Sequence, residues 1–209
     1  MKKLSYIGLS RLLLLLTALL AHSSFASAEK TIMVFGDSLS AAYHLELEAG
    51  WPYLLQQKLK RQKRPWQVIN FSISGETTQG GLLRFKQDLA KAAPDIVILE
   101  LGANDGLRGQ SLKQMRANLA QMIVQAQNAK AKVILAGMHI PPNYGKRYTS
   151  AFHKSYIDLS QQYNTVLIPF LLADIATKPE LLLNDGLHPN TEGQQQMLIN
   201  LWPYLAPLL

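Results

Sequence analysis

The 209-residue chain contains no cysteine. That excludes a thiol nucleophile, a cysteine-ligated zinc site and any disulfide, so the fold has to rest on its apolar core. Runs of Lys and Arg interleaved with aromatics are also missing, and no nucleic-acid partner is expected. His44, His139 and His153 are scattered rather than gathered into a ligand cluster, so neither a metal nor a cofactor is expected. Past residue 28 no apolar run is long enough to span a bilayer, and no repeat or low-complexity linker marks a second domain.

The first residues have a character of their own. Met1-Lys2-Lys3 and Arg11 give a basic start, Leu12 to Leu20 is an almost unbroken apolar run, and Ala26-Ser27-Ala28 offers a small-x-small cleavage site. This layout predicts a signal peptide over 1–28, a mature single domain over 29–209, and a periplasmic or secreted location. Loss of Lys2, Lys3 and Arg11 lowers the formal charge from +7 to +4. A mild excess of that size reads as a solvated face, compatible with transient contact at an anionic membrane surface. A monomer is expected.

Five short runs read as buried strands: Thr31–Phe35, Gln67–Phe71, Asp95–Leu101, Lys132–Met138 and Thr165–Pro169. They are rich in Val, Ile and Leu and do not alternate, which suits parallel strands covered on both faces. Between them lie helix-period segments, marked by Leu82, Phe85, Leu89 and Ala92, by Leu112, Met115, Leu119 and Met122, by Phe152, Tyr156, Leu159 and Tyr163, and by Met197, Leu201, Leu205 and Leu208. Ser111 with Gln114 reads as a capping box. Strands alternating with helices predict an α/β fold with a doubly wound, mostly parallel five-stranded sheet between two helical layers. Ligands in such folds bind beyond the carboxyl ends of the strands.

Those ends carry the chemistry. Gly36-Asp37-Ser38 follows the first strand, the segment "SISGETT" with Gly75 follows the second, "GAND" with Asn104 follows the third, and "NDGLHPN" precedes the last helix. Acyl transfer needs a nucleophile, a base beside it, a group that orients the base and donors for the oxyanion. Ser38 supplies a hydroxyl, and its N–H is expected to open the next helix. His188 supplies a base, and Asp185 can accept the imidazole's other N–H. Gly75 allows a backbone N–H to approach a ligand closely, and Asn104 offers a side-chain donor. Asn190 reads as the cap of the last helix. Asp37 reads as a turn residue, Asp105 as the brace of the Asn104 turn, and residues 75–81, with their three glycines, as the segment that moves. His139 reads as structural or as a neighbour of the site.

Each piece alone has a plainer reading. Gly-Asp-Ser and Asn-Asp-Gly are common turns, and Asp-x-x-His-Pro could be a capped loop. Their coincidence at one edge of a sheet favours catalysis. The Gly-x-Ser-x-Gly elbow is absent, because Ser40 stands where its last glycine belongs. Gly75 and Gly80 fit a P-loop start, but Gly81 stands where lysine is required.

The blocks Gly36-Asp37-Ser38-Leu39-Ser40, Gly75 in "SISGETT", Asn104 in "GAND" and Asp185-Gly186-Leu187-His188-Pro189 resemble the SGNH branch of the GDSL hydrolase family. "ELGANDGLRG", "PPNYGKRY" and "DGLHPN" are similar to its acyl-CoA thioesterase/lysophospholipase and arylesterase subgroup. The resemblance implies a flavodoxin-like three-layer fold and a serine esterase or thioesterase acting on acyl esters, lysophospholipids or acyl-CoA. It implies a Ser38, His188, Asp185 triad with an oxyanion hole of Ser38, Gly75 and Asn104. Ala103 departs from the subgroup, which usually has glycine there, and this puts turnover or acyl preference in question. Leu107, Ile140, Pro141 and Tyr144, with Leu181 to Leu183, form an apolar supply near the site that favours a medium or long acyl chain. A carbohydrate O-acetylesterase on the same scaffold, with a small acyl pocket and a polar groove, is the alternative. A binding protein with a dead site is the non-enzymatic one, and it would usually lack Ser38 or His188.

Overall fold

The computed structural model describes residues 30–209. The proposed signal segment lies outside the described residues. Five strands form one sheet in the order β2-β1-β3-β4-β5, with every pair parallel. The strands are β1 (Lys30–Gly36), β2 (Trp66–Asn70), β3 (Ile96–Glu100), β4 (Lys132–Ala136) and β5 (Val166–Ile168). Each lies within a residue or two of its predicted bounds. The apolar residues of β1, β3 and β4 are buried, as continuous apolar runs in a two-sided parallel sheet require.

The helices are α1 (Trp51–Arg61), α2 (Thr78–Ala92), α3 (Ala103–Leu107), α4 (Leu112–Asn128), α5 (Lys146–Tyr163) and α6 (Thr191–Leu205). Helices α1 and α6 pack against each other and cover one face of the sheet, while α2, α4 and α5 form a row on the other. The predicted three-layer architecture is the observed one.

Two helices escaped the periodicity. Helix α1 buries only Trp51, Pro52, Leu55 and Leu59 of its length, and its polar glutamines and lysines dilute the stripe. Helix α3 is too short to show a period. The Ser111 hydroxyl accepts from the Gln114 N–H at 3.3 Å. Gln114 does not reach back but donates to Asn118 at 2.8 Å, so only half of the predicted capping box forms.

The chain doubles back beside β1, which pairs with β2 on one side and β3 on the other. The carboxyl ends of β1 and β3 therefore flank the point where connections diverge, the place where open α/β sheets hold their ligands.

Candidate active site

Strand β1 ends at Gly36, in register with Glu100 at the end of β3. The next residues do not enter a helix. Ser40 N and Ala41 N donate to the Asp37 carbonyl at 3.2 and 3.0 Å, and Tyr43 N donates to that of Ser38 at 3.4 Å. These are consecutive turns, followed by a short 3-10 turn at Leu47–Ala49, and the first α-helix begins only at Trp51, so the expectation that Ser38 opens a helix is corrected. The turn presents Ser38 at the floor of a cavity of about 220 Å³. Ser38 itself is only 8% exposed.

His188 reaches Ser38 from the last loop. That loop is a small hairpin, closed by the Leu183 N–H donating to the His188 carbonyl at 2.7 Å and by a bridge between Leu182 and Pro189. Asn190 caps α6 by accepting from Gly193 N at 3.0 Å, which fixes where the loop leaves. Asp185 braces it from inside. Its Oδ1 accepts from Leu187 N at 2.9 Å and His188 N at 3.0 Å, and its Oδ2 lies 2.6 Å from His188 Nδ1. A carboxylate only accepts, so Nδ1 carries the proton and Nε2 is left with a lone pair. That lone pair faces Ser38 Oγ at 2.9 Å. Partial burial works to raise the Asp185 pKa, but the His188 and Leu187 N–H bonds and the imidazole outweigh it and hold it at about 2. The ring of Tyr43, which sequence reasoning missed, packs on His188 with centroids 4.3 Å apart.

Asn104 stands in the first turn of α3, after Gly102, whose φ of 115° gives the chain the turn it needs there. Its Nδ2 donates one hydrogen to Asp37 Oδ2 at 3.1 Å. Its second amide hydrogen has no protein acceptor among the described residues, and Asn104 lines the cavity. Gly75 does not line this cavity. It sits in the loop after β2, which is tied to the end of β1 by Ile73 N donating to the Gly36 carbonyl at 3.1 Å.

Residues 75–81 are more firmly held than expected. The Gly75 carbonyl accepts from Arg108 Nη2 at 3.0 Å, and Glu76 pairs with Arg84 at 2.8 Å. Residues 78–81 form the first turn of α2. A Cβ on Gly81 would stand 2.6 Å from Leu101 Cδ1, so this glycine serves close packing of helix on sheet rather than motion. Asp105 does not brace its neighbour either. Its carboxylate accepts from Thr78 N at 2.9 Å and Thr78 Oγ1 at 2.6 Å, linking α3 to the start of α2.

The cavity walls are mostly apolar. Leu107, Ile140 and Pro141 line it as anticipated, with Ala103, and so do Met138, Leu172 and Leu187, which were not singled out. Tyr144 does not. Its hydroxyl donates to the Leu107 carbonyl at 2.7 Å and its ring belongs to a neighbouring depression with Lys146 and Arg147. Leu181 to Leu183 are likewise outside the lining. His139 borders the cavity, stacked on His153 with centroids 3.8 Å apart, and burial together with the second imidazole lowers its pKa. Among the described residues no group of three or more His, Cys, Asp or Glu side chains is placed to hold a metal ion.

A serine hydroxyl, an oriented imidazole and a side-chain amide thus meet at one apolar cavity. The model of the GDSL-like lipase/acylhydrolase family matches residues 34–196, from β1 into α6. The chain belongs to this family. Among its relatives, the esterase TesA of Pseudomonas aeruginosa is 44% identical over 183 residues, 88% of this chain and 91% of that one. The thioesterase 1/protease 1/lysophospholipase L1 of Escherichia coli K12 is 38% identical over 184 residues, 88% of this chain and 87% of that one. A crystal structure of TesA superposes with a TM-score of 0.84 at 44% identity, covering 86% of this chain and all of that one. The fold is therefore that of the SGNH hydrolases.

Proposed function

We propose that this GDSL-family esterase and thioesterase works by two-step acyl transfer, with Ser38 as nucleophile, His188 as general base and Asp185 as the group that orients it. The enzyme is a carboxylic ester hydrolase, and its substrates are small-molecule esters, as the esterase and thioesterase names of its relatives convey. His188 Nε2 takes the Ser38 proton while Oγ attacks the carbonyl. The Ser38 N–H and the free Asn104 hydrogen receive the oxyanion, and the Gly75 N–H, from the loop just outside the cavity lining, is the third donor that the family resemblance implies. The imidazolium returns its proton to the departing alcohol or thiolate, and water then enters by the same steps to release the acid.

The single observation that carries this reading is the unbroken hydrogen-bond chain from Ser38 Oγ through His188 to Asp185, at 2.9 and 2.6 Å. The cavity lining supports a medium or long acyl chain over a sugar. Each CH₂ buried there is worth about 0.8 kcal/mol, and the side chains of Leu107, Ile140, Leu172 and Leu187 offer a sugar no hydrogen bonds. Lysophospholipid, acyl-CoA and aryl esters fit such a pocket. Leu187 at the cavity is 44% exposed, which supports brief contact with a lipid surface during substrate uptake. The N-terminal pattern supports cleavage after residue 28 and a mature enzyme of 29–209 in the periplasm or outside the cell.

The test is hydrolysis of p-nitrophenyl esters from acetate to palmitate by the mature protein and by Ser38→Ala. Activity should vanish in the variant and peak at medium or long chains. A peak at acetate would favour the acetylesterase, and activity that survives the substitution would remove Ser38 from the mechanism.

A further inference from the structure

Beneath the nucleophile turn lies a pair of buried carboxyl groups that the mechanism above does not use. Asp37 and Glu100 are both fully buried. Glu100 Oε2 accepts from Ser40 Oγ at 2.7 Å and from Asp37 N at 3.3 Å. Glu100 Oε1 is buried and has no hydrogen-bond partner. Asp37 is differently placed, with both oxygens engaged as acceptors. Oδ1 takes the Leu39 N–H at 3.1 Å and Oδ2 takes the Asn104 amide at 3.1 Å.

This asymmetry decides where one negative charge can sit. Two buried carboxylates that repel each other across one turn resist ionising together. An anionic Glu100 would leave a bare oxygen without a donor, at the full desolvation penalty. An anionic Asp37 satisfies each oxygen with an N–H. We propose that the pair carries a single negative charge on Asp37, with Glu100 as the protonated partner, and that this charge makes Asp37 a positioning residue for the oxyanion donor Asn104. By holding one amide hydrogen, the carboxylate fixes the amide plane, directs the other hydrogen into the cavity and polarises it.

The electrostatics agree in direction. Burial, and then the charge of Asp37, push the Glu100 pKa well up. For Asp37, burial raises the pKa against the Leu39 and Asn104 bonds, with help from Asp105 on α3 and Glu76 before α2, to about 7. Tyr156 on α5 is the remaining titratable neighbour. Burial and these same carboxylates drive its pKa up, so it stays neutral. His188 faces the pair only across Ser38. The Asp37 charge is thus present above neutral pH and lost as pH falls through its raised pKa. A protonated Asp37 would have to give up one of its two donors. The acid limb of kcat then includes the protonation of Asp37.

The inference rests on the reading of Ser38 and Asn104 given above, and the test separates the two. Activity on a p-nitrophenyl ester is followed across the pH range in wild type, Ser38→Ala, Asp37→Asn, Glu100→Leu and Glu100→Gln. Asp37→Asn should lower kcat by roughly tenfold or more, short of the ~10²–10³ that removal of an oxyanion donor brings, with KM little changed and that protonation gone from the acid limb. Glu100→Leu should lower kcat, and the neutral isostere Glu100→Gln should restore it. Because Asp37→Asn could fail to fold, the Asn104 side-chain amide resonances of the wild-type protein provide a second reading. They should shift with pH together with the Asp37 carboxyl carbon. If Ser38→Ala is inactive but Asp37→Asn keeps kcat and the same acid limb, or if the Asn104 amide does not titrate, the inference fails alone. If Ser38→Ala stays active, the reading of the site fails and takes the inference with it.

Discussion

Replacing Asp185 with asparagine tests the orientation of the base. In the native loop the two carboxylate oxygens have separate duties, Oδ1 holding the Leu187 and His188 amides at 2.9 and 3.0 Å and Oδ2 facing His188 Nδ1 at 2.6 Å. Asparagine has one acceptor oxygen. The two backbone N–H groups claim it, because an NH₂ cannot accept from them. The NH₂ is then turned toward Nδ1, which must present a lone pair, and the imidazole proton moves to Nε2. That nitrogen can no longer take the Ser38 proton. Where this tautomer error has been imposed on a comparable triad, kcat falls by about 10⁴, equivalent to about 5 kcal/mol of barrier. The Asp185 side chain is 37% exposed, so water can relieve part of the error, and we expect a loss of about 10³–10⁴. Asp185→Ala leaves the tautomer free to choose. It should retain more kcat than asparagine while losing more thermal stability, since two loop amides lose their acceptor. The assay is kcat on a p-nitrophenyl ester at neutral pH, with Tm beside it. An asparagine variant within tenfold of wild type, or an alanine variant with the lower kcat, would refute the tautomer argument. With its pKa held at about 2, Asp185 keeps its charge until pH falls through that value and contributes no limb to the profile at ordinary pH.

Asn104→Ala should lower kcat by about 10²–10³ with little change in KM, and a change of only a few-fold in single-turnover rate would take Asn104 out of the oxyanion hole. Gly36→Ala should lower stability by about 1–3 kcal/mol and activity with it, because its Cβ would stand 2.5 Å from Glu100 Oε2 and 2.8 Å from the Glu100 carbonyl, and thermal melting checks this directly. Dialysis against EDTA should leave kcat/KM unchanged, and activity that disappears and returns with a divalent ion would overturn the metal-free mechanism.

Much of the molecule was readable from its residues because the relevant physics is local or periodic. Apolar strands such as Ile96–Glu100 announce themselves by composition, and their alternation with helices dictates a parallel sheet. The site was readable because that topology delivers Ser38 and Asn104 to one edge, with the last loop bringing His188 to Ser38. What was missed depends on side-chain partners distant in sequence. Asp105 braces Thr78, 27 residues away, not its own turn. Tyr144 points to the Leu107 carbonyl, 37 residues away, and leaves the cavity to Leu172 and Leu187. No period or spacing encodes such choices. Glu100 was the one miss with a visible signal, as an acid at the end of an otherwise apolar strand.

That acid also changes the explanation of the glycine two residues before Ser38. As sequence, Gly36-Asp37-Ser38 reads as a turn that needs a flexible residue. Gly36 instead closes a regular strand, in register with Glu100, and its missing Cβ makes room for the glutamate side chain lying across it. The glutamate in turn meets Asp37 N, one residue before Ser38, and Ser40 Oγ, two residues after it. A β1–β3 slip of one residue would flip Glu100 to the opposite face of the sheet and strip both sides of the Ser38 turn of their partner. The glycine is therefore required by a contact made across the sheet, and Ser38 is held by strand register as much as by its own turn.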